Sequence, residues 1–266
     1  MVKALNVSLS QQLSSVYVLG VRVDRVTQQQ VLDRIEQLID DYHAHRRQTS
    51  CQQLITVNPE FVMAAQGDSF FRQCINEAAL VIPDGIGVVW ATRYLGKPVP
   101  ERVTGVDTLV ELARRSTIKG YRLYLLGAAP GVAEAAGRRL QTLVPGLQIA
   151  GSYAGSPAIA EEDEIIEQIR VAQADILCVA YGAPAQDVWI RRNLGRLPVA
   201  IAMGIGGSFD FLTGRRHRAP KLMQKLGLEW LYRLSREPWR WRRMLALPKF
   251  AIKVAAKGFK AYGTCG

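Results

Sequence analysis

In the stretch Gln53-Leu54-Ile55-Thr56-Val57-Asn58-Pro59 an apolar run ends in a turn, and a helix-length interval later Leu80-Val81-Ile82-Pro83-Asp84-Gly85 repeats it. Both are short apolar runs that end in turn formers, the form of a buried strand feeding a helix. The unit recurs. Strands are predicted at Val16 to Val23, Gln53 to Val57, Leu80 to Pro83, Arg122 to Leu126, Leu147 to Ser152, Ile176 to Ala180 and Val199 to Met203, with helices in the gaps. Thr27 and Gln30 have capping-box spacing ahead of Val31, Leu32, Ile35, Leu38, Ile39 and Tyr42, which recur at helical period. Glu161 to Ala172 opens on an acidic cluster that suits a helix N-terminus. This alternation predicts an α/β, Rossmann-like fold: a mainly parallel sheet flanked by helices.

Composition agrees. The 266 residues are 48% hydrophobic and 21% charged, enough for a large core, which excludes disordered and collagen-like chains. No run approaches the roughly 18 apolar residues of a membrane-spanning helix. The polar Ser/Gln run within residues 1–15 does not read as a secretory signal. Cys51, Cys74, Cys178 and Cys265 lie far apart without a CxxC pair, which predicts reduced thiols in a cytoplasmic protein.

The net charge of +11 is concentrated at one end: residues 214–260 hold fourteen Lys and Arg against Glu229 and Glu237. The expected organisation is a catalytic body over 1–213 and a cationic, amphipathic helical appendage over 214–266. Leu222, Leu226, Trp230, Leu231 and Leu234 form an apolar stripe, broken at Glu237-Pro238 and resumed by Trp239, Trp241, Met244, Leu245 and Phe250. Tryptophans among leucines and arginines match a helix lying on an anionic membrane. A solvated helix packed on the body is the bland alternative. Nucleic acid is the rival anion, disfavoured because no nucleic-acid-binding motif is present.

In such sheets, ligands bind beyond the carboxyl ends of the strands. The loops there are Thr56 to Pro59, Pro83 to Gly85, Gly127 to Gly131, Tyr181 to Asp187 and Gly204 to Asp210. The Gly127 and Gly204 loops could offer N–H groups to phosphate, though neither matches GxGxxG or a P-loop. Asp84 reads either as a ligand-facing carboxylate or as a Pro-Asp-Gly turn. Asn58-Pro59 equally reads as a helix start, and Gln186 and Asp187 as ligand contacts or caps. His43, His45 and His217 lack metal-ligand spacing and no DxD pair occurs, so a chemistry without metal or cofactor is expected. A soluble nucleotide-binding enzyme of another class, such as a dehydrogenase, fits these loops too.

Taken together, Thr56-Val-Asn58-Pro, Pro83-Asp84-Gly85, Arg102-Val-Thr-Gly105-Val-Asp107, Gly182-Ala-Pro184-x-Gln186, Gly206-Gly-Ser-Phe-Asp210-Phe, Arg218-Ala-Pro, Gly227-Leu-Glu-Trp230-Leu-Tyr-Arg233-Leu and Glu237-Pro-x-Arg240 resemble the WecG/TagA/CpsF family of bacterial glycosyltransferases, from Val16 to Pro248. The resemblance implies inverting, metal-independent transfer of a sugar from a UDP-sugar to a polyprenyl-diphosphate-linked N-acetylglucosamine at the inner face of the plasma membrane. N-acetylmannosamine is the expected sugar, with glucose or a uronic acid as alternatives. Asp84 would be the general base; Thr56 and Asn58 would position sugars, and Arg102 and Gln186 would line the pocket. Gly127, Gly131, Gly182, Gly206 and Asp210 would hold the nucleotide, and Arg233, Arg240 and Arg243 the diphosphate. Ala185 and Asp187 depart from the Lys and Glu usual there, which removes a basic contact and a methylene. A homo-oligomer is compatible with the sequence.

Overall fold

The computed structural model describes residues 13–45, 49–225 and 227–257. Leu226 of the apolar stripe and Cys265 lie outside them. The expected first strand over Val16 to Val23 is instead an antiparallel hairpin, β1 (Ser15–Val18) and β2 (Val21–Asp24). Leu19 and Gly20 make its two-residue turn, with φ of 52° and 80°. Positive φ at both turn residues matches the natural twist of a hairpin. The hairpin stands apart from the main sheet.

Next comes α1 (Gln28–Ala44), closed by the expected capping box: Thr27 Oγ1 accepts from the Gln30 N–H and Gln30 Oε1 from the Thr27 N–H. The main sheet follows, with β3 (Gln52–Val57), α2 (Pro59–Gly67), α3 (Ser69–Glu77), β4 (Leu80–Pro83), α4 (Ile86–Tyr94), α5 (Gly105–Lys119), β5 (Arg122–Gly127), α6 (Val132–Leu143), β6 (Gln148–Tyr153), α7 (Glu162–Ala172), β7 (Ile176–Ala180), α8 (Ala185–Asn193), β8 (Ile201–Gly204) and α9 (Ser208–Leu212). Its order is β4-β3-β8-β7-β5-β6, and every neighbouring pair is parallel. The hairpin is tied to it where Asp24 Oδ2 accepts from the Val81 N–H at 2.8 Å.

β4, β7 and β8 are buried along their whole length because helices cover both faces, while the edge strand β6 is only partly buried. Leu54, Ile82, Leu123, Leu125, Ile176, Cys178, Ile201 and Met203 pack towards α1, α5 and α6 through Ile35, Leu109, Leu112 and Leu140. Of the alternate residues, Ile55, Val57 and Val81 meet Phe61, Val62, Phe71 and Val88, while Leu126, Leu177 and Val179 meet Ile165, Ile169, Trp189 and Ile190. Cys51, Cys74 and Cys178 are buried free thiols.

The basic segment continues as α10 (Lys221–Lys225), α11 (Glu229–Arg236), α12 (Trp241–Met244) and α13 (Ala246–Lys257), with a short turn of helix over Pro238–Arg240 at the expected break. It folds back on the body. Phe250 and Val254 are buried in the same core as Phe61 and Val88.

Gly127 ends β5 with φ of 101°, and a Cβ there would stand 2.8 Å from the Ala180 carbonyl carbon in β7. Backbone strain and overpacking both oppose a side chain at that point. Gly127→Ala is therefore expected to lower stability by about 1–3 kcal/mol in urea unfolding. A loss below about 0.5 kcal/mol, the range of a neutral surface substitution, would show that the strand ends are not tightly spaced.

Candidate active site

Beyond the carboxyl ends of β3, β4, β7 and β8 lies a cavity of about 680 Å³. Thr56 and Asn58 reach it from the end of β3, Asp84 from β4, Tyr181 and Gly182 from β7, and Gly206 and Gly207 from β8. Its far wall is the basic segment, through Arg216, Trp230, Arg233, Arg240 and Arg243. The loops after β3 and β4 are pressed together: a Cβ on Gly85 would fall 2.6 Å from Pro59 and 2.7 Å from the Asn58 Cβ. The Asp84 and Gly85 N–H groups both donate to the Val57 carbonyl, at 3.0 and 3.2 Å. Asp84 is thereby fixed beside Asn58.

Asp84 is half-buried on the cavity floor. Burial pushes its carboxyl up to about 6, against the opposing pull of Arg102. Glu229 adds to the rise, and Arg233 and a hydrogen bond from the Gly105 backbone moderate it. A carboxyl of this kind is ionised at neutral pH yet more basic than an exposed aspartate.

The other expected residues divide. Thr56 is buried at the cavity edge. Asn58 Oδ1 accepts from the Glu60 and Phe61 N–H groups at 2.9 and 3.2 Å, capping α2, so its amide N–H₂ is the part left for a ligand. Cap and site readings hold for the same side chain. Gln186 lines the cavity but is itself buried, and its Oε1 accepts from the Gly206 N–H at 3.0 Å. It therefore holds the loop after β8 in place. Gly182 and Gly206 line the cavity, both with positive φ. Arg102 lines it too, and its guanidinium donates to Glu229.

Gly127 and Gly131 are not among the lining residues. The first is a glycine because β7 passes so close, and the second is a solvent-exposed, left-handed residue ahead of α6. Their loop reaches the cavity through Ala128 and Ala129. Asp187 does not line it either; it is fully buried, and burial pushes its carboxyl up to about 7.

The cationic wall is held by carboxylates. Arg216 lies 3.3 Å from Asp210 and 3.4 Å from Glu237. Arg240 is 3.2 Å from Glu237 and 3.8 Å from Glu60, and Arg243 donates to Glu60 at 2.8 Å. Arg218 grips Asp107 with two bonds of 2.6 and 2.8 Å, which hold the Asp107 carboxyl below its ordinary range, and stands 3.9 Å from Glu229. Arg233 lies over the Phe211 ring at 4.9 Å. Burial, then the charge of Arg240, lowers its pKa. Among the described residues no group of three or more His, Cys, Asp or Glu gathers to hold a metal ion.

Sequence reading passed over Glu60, Arg216, Glu229 and Glu237 as site residues. Glu60 follows Asn58-Pro59 and looks like an ordinary acid in a first helical turn, where negative charge is favoured anyway. Nothing local marks its partner, Arg243, as a neighbour in space.

A family model described as "Glycosyl transferase WecG/TagA/CpsF family" matches residues 16–263. Among curated relatives, a Bacillus spizizenii protein is 33% identical over 228 residues, 84% of this chain and 88% of its own. A Bacillus subtilis (strain 168) protein is 37% identical over 199 residues, covering 75% and 77%. A Staphylococcus aureus (strain MW2) protein is 29% identical over 242 residues, covering 91% and 92%. Each is named N-acetylglucosaminyldiphosphoundecaprenol N-acetyl-beta-D-mannosaminyltransferase.

The Asp84 environment has a stability consequence. Its folded pKa of about 6 lies above the ordinary 3.8, so this group opposes folding at neutral pH and the opposition fades as pH falls between those values. Asp84→Asn is expected to be more stable than the parent by about 2 kcal/mol at pH 8, with the difference vanishing near pH 4. Urea unfolding of both chains at the two pH values checks this. A pH-independent difference would contradict the burial of the charge.

Proposed function

The chain belongs to the WecG/TagA/CpsF glycosyltransferase family, and from that premise we propose that it transfers an N-acetylmannosamine-type sugar from a UDP-sugar to a polyprenyl-diphosphate-linked N-acetylglucosamine, with Asp84 as general base. One observation carries the reading: a single carboxylate of raised pKa faces a wall of arginines across one cavity.

The chemistry needs that pair of features. Asp84 takes the proton of the acceptor hydroxyl as its oxygen attacks the anomeric carbon from the side opposite UDP. The bond from that carbon to the diphosphate oxygen breaks with inversion, and UDP departs carrying the bonding electrons. A base with a pKa near the working pH is both ionised and strong enough to act, an effect of about 10² to 10⁴-fold. The departing diphosphate gains charge as it leaves. Arg216, Arg233 and Arg240 are placed to meet it, Arg216 and Arg240 exchanging their carboxylate partners for phosphate oxygens, so the mechanism runs without a metal. Thr56, Asn58 and Arg102 orient the sugars, and Gly182, Gly206 and Asp210 the nucleotide.

Peripheral attachment to the inner face of the plasma membrane follows from the same segment. Leu222, Trp239, Trp241, Leu245 and Ile252 are exposed large hydrophobics among its basic residues. Each basic residue near an anionic surface contributes about 1 kcal/mol, and tryptophans settle at the headgroup level. No described helix is long and apolar enough to cross a bilayer. The recruitment of Arg216, Arg233, Arg240 and Arg243 into the cavity favours a lipid-diphosphate partner over nucleic acid.

The decisive assay supplies UDP-N-acetylmannosamine and a lipid-diphosphate N-acetylglucosamine, and reads UDP release and the mass of the product. Transfer is expected with and without EDTA, and Asp84→Asn should reduce it about 10² to 10⁴-fold. Undiminished transfer in that variant would remove Asp84 as base. In co-sedimentation, the chain should bind anionic vesicles in low salt and release in high salt. The pair Trp239→Ser and Trp241→Ser should weaken that binding, and unchanged binding would move the attachment elsewhere.

A further inference from the structure

Beside the catalytic cavity lies a second space of about 380 Å³. Met63 and Ala64 of α2 line one part of it, and Leu245 and Ala246, at the join of α12 and α13, another. Glu60, Phe61, Ala183 and Arg243 line both spaces, so the two adjoin there. Arg242 and Lys249 are exposed on the outer side. The sole acid in the lining, Glu60, is already engaged by Arg243 at 2.6 Å. The groove is thus apolar along its length and cationic at its junction and rim. Its complement is an amphiphile with an anionic head at Arg243 and an apolar tail.

We propose that this groove holds the isoprenoid end of the lipid-linked acceptor next to its diphosphate; the identity of that ligand rests on the proposed function. The acceptor sugar must reach Asp84, its diphosphate follows one sugar length away, and the tail has to leave the cavity. The junction at Arg243 gives the diphosphate a cation and lets the tail depart over Met63, Ala64 and Leu245 without crossing water. Only the first isoprene units fit in such a volume. The remainder continues past half-exposed Leu245 and the exposed Trp241 into the bilayer.

Ala64 suits a test, because it is exposed on α2 and does not line the catalytic cavity. Ala64→Trp fills the groove. The expected result is a rise of about tenfold in KM for a long-chain polyprenyl-diphosphate N-acetylglucosamine, as apolar contact is lost. KM for UDP-N-acetylmannosamine and turnover of an analogue with a short alkyl chain should stay at the parent's values. Ala64→Leu should give the same split between long and short acceptors. An equal change for both acceptors, or none for either in both variants, overturns the proposal. If the parent transfers to neither acceptor, the proposed function fails, and the groove is then tested by binding alone. Farnesyl diphosphate should bind Ala64→Trp about tenfold more weakly than the parent while inorganic diphosphate binds both alike. Equal farnesyl diphosphate binding would overturn it.

Discussion

Taking a carboxylate out of water costs free energy, and the carboxyl edge of this sheet is arranged around one such group. Asp84 is held on the cavity floor by two N–H bonds from its own turn to the Val57 carbonyl and by a glycine next door that leaves no gap to Pro59. Arg102 and Arg233 lessen the cost, while Glu229 keeps Arg102 from cancelling it. The balance leaves a base whose pKa of about 6 is set by burial first and by neighbours second. Sites of this kind give up stability for reactivity.

The second constraint is cationic. Several arginines converging on one cavity repel one another, and burial first, then the charge of Arg240, lowers the pKa of Arg233. Glu60, Asp210, Glu229 and Glu237 neutralise that repulsion and fix the arginines in place. A diphosphate entering the cavity has only to replace carboxylates at guanidinium groups already positioned, so little reorganisation accompanies its binding. Because α13 is anchored through Phe250 and Val254 in the body's core, the segment that supplies most of these arginines is also a wall of the site. Under the proposed function, seating that wall and meeting the lipid surface belong to one arrangement.

The sheet was legible because strands buried on both faces leave continuous apolar runs, as in Leu54 to Val57 and Ile176 to Ala180. The hairpin was not, since a period-2 pattern reads the same through a tight turn, and its Leu19 is an unusual residue for positive φ. Glycine reports that a backbone comes close to something without saying to what. At Gly127 the neighbour is the backbone of Ala180, and at Gly85 it is Pro59. Asp84, Thr56 and Asn58 were found because strand ends converge by topology. Their counter-ions were not, because pairs such as Arg243 with Glu60 and Arg102 with Glu229 join residues far apart in the chain and carry no local pattern.

The pH dependence of kcat/KM for sugar transfer reports the free enzyme's essential base, and so shows whether Asp84 fills that role. The raised pKa of Asp84 predicts a plateau at neutral pH and a loss of one decade per pH unit below about 6, as the carboxylate takes up its proton. A rate that holds level down to pH 4.5 would contradict this, because it would mean that the reaction does not pass through the half-buried carboxylate of Asp84.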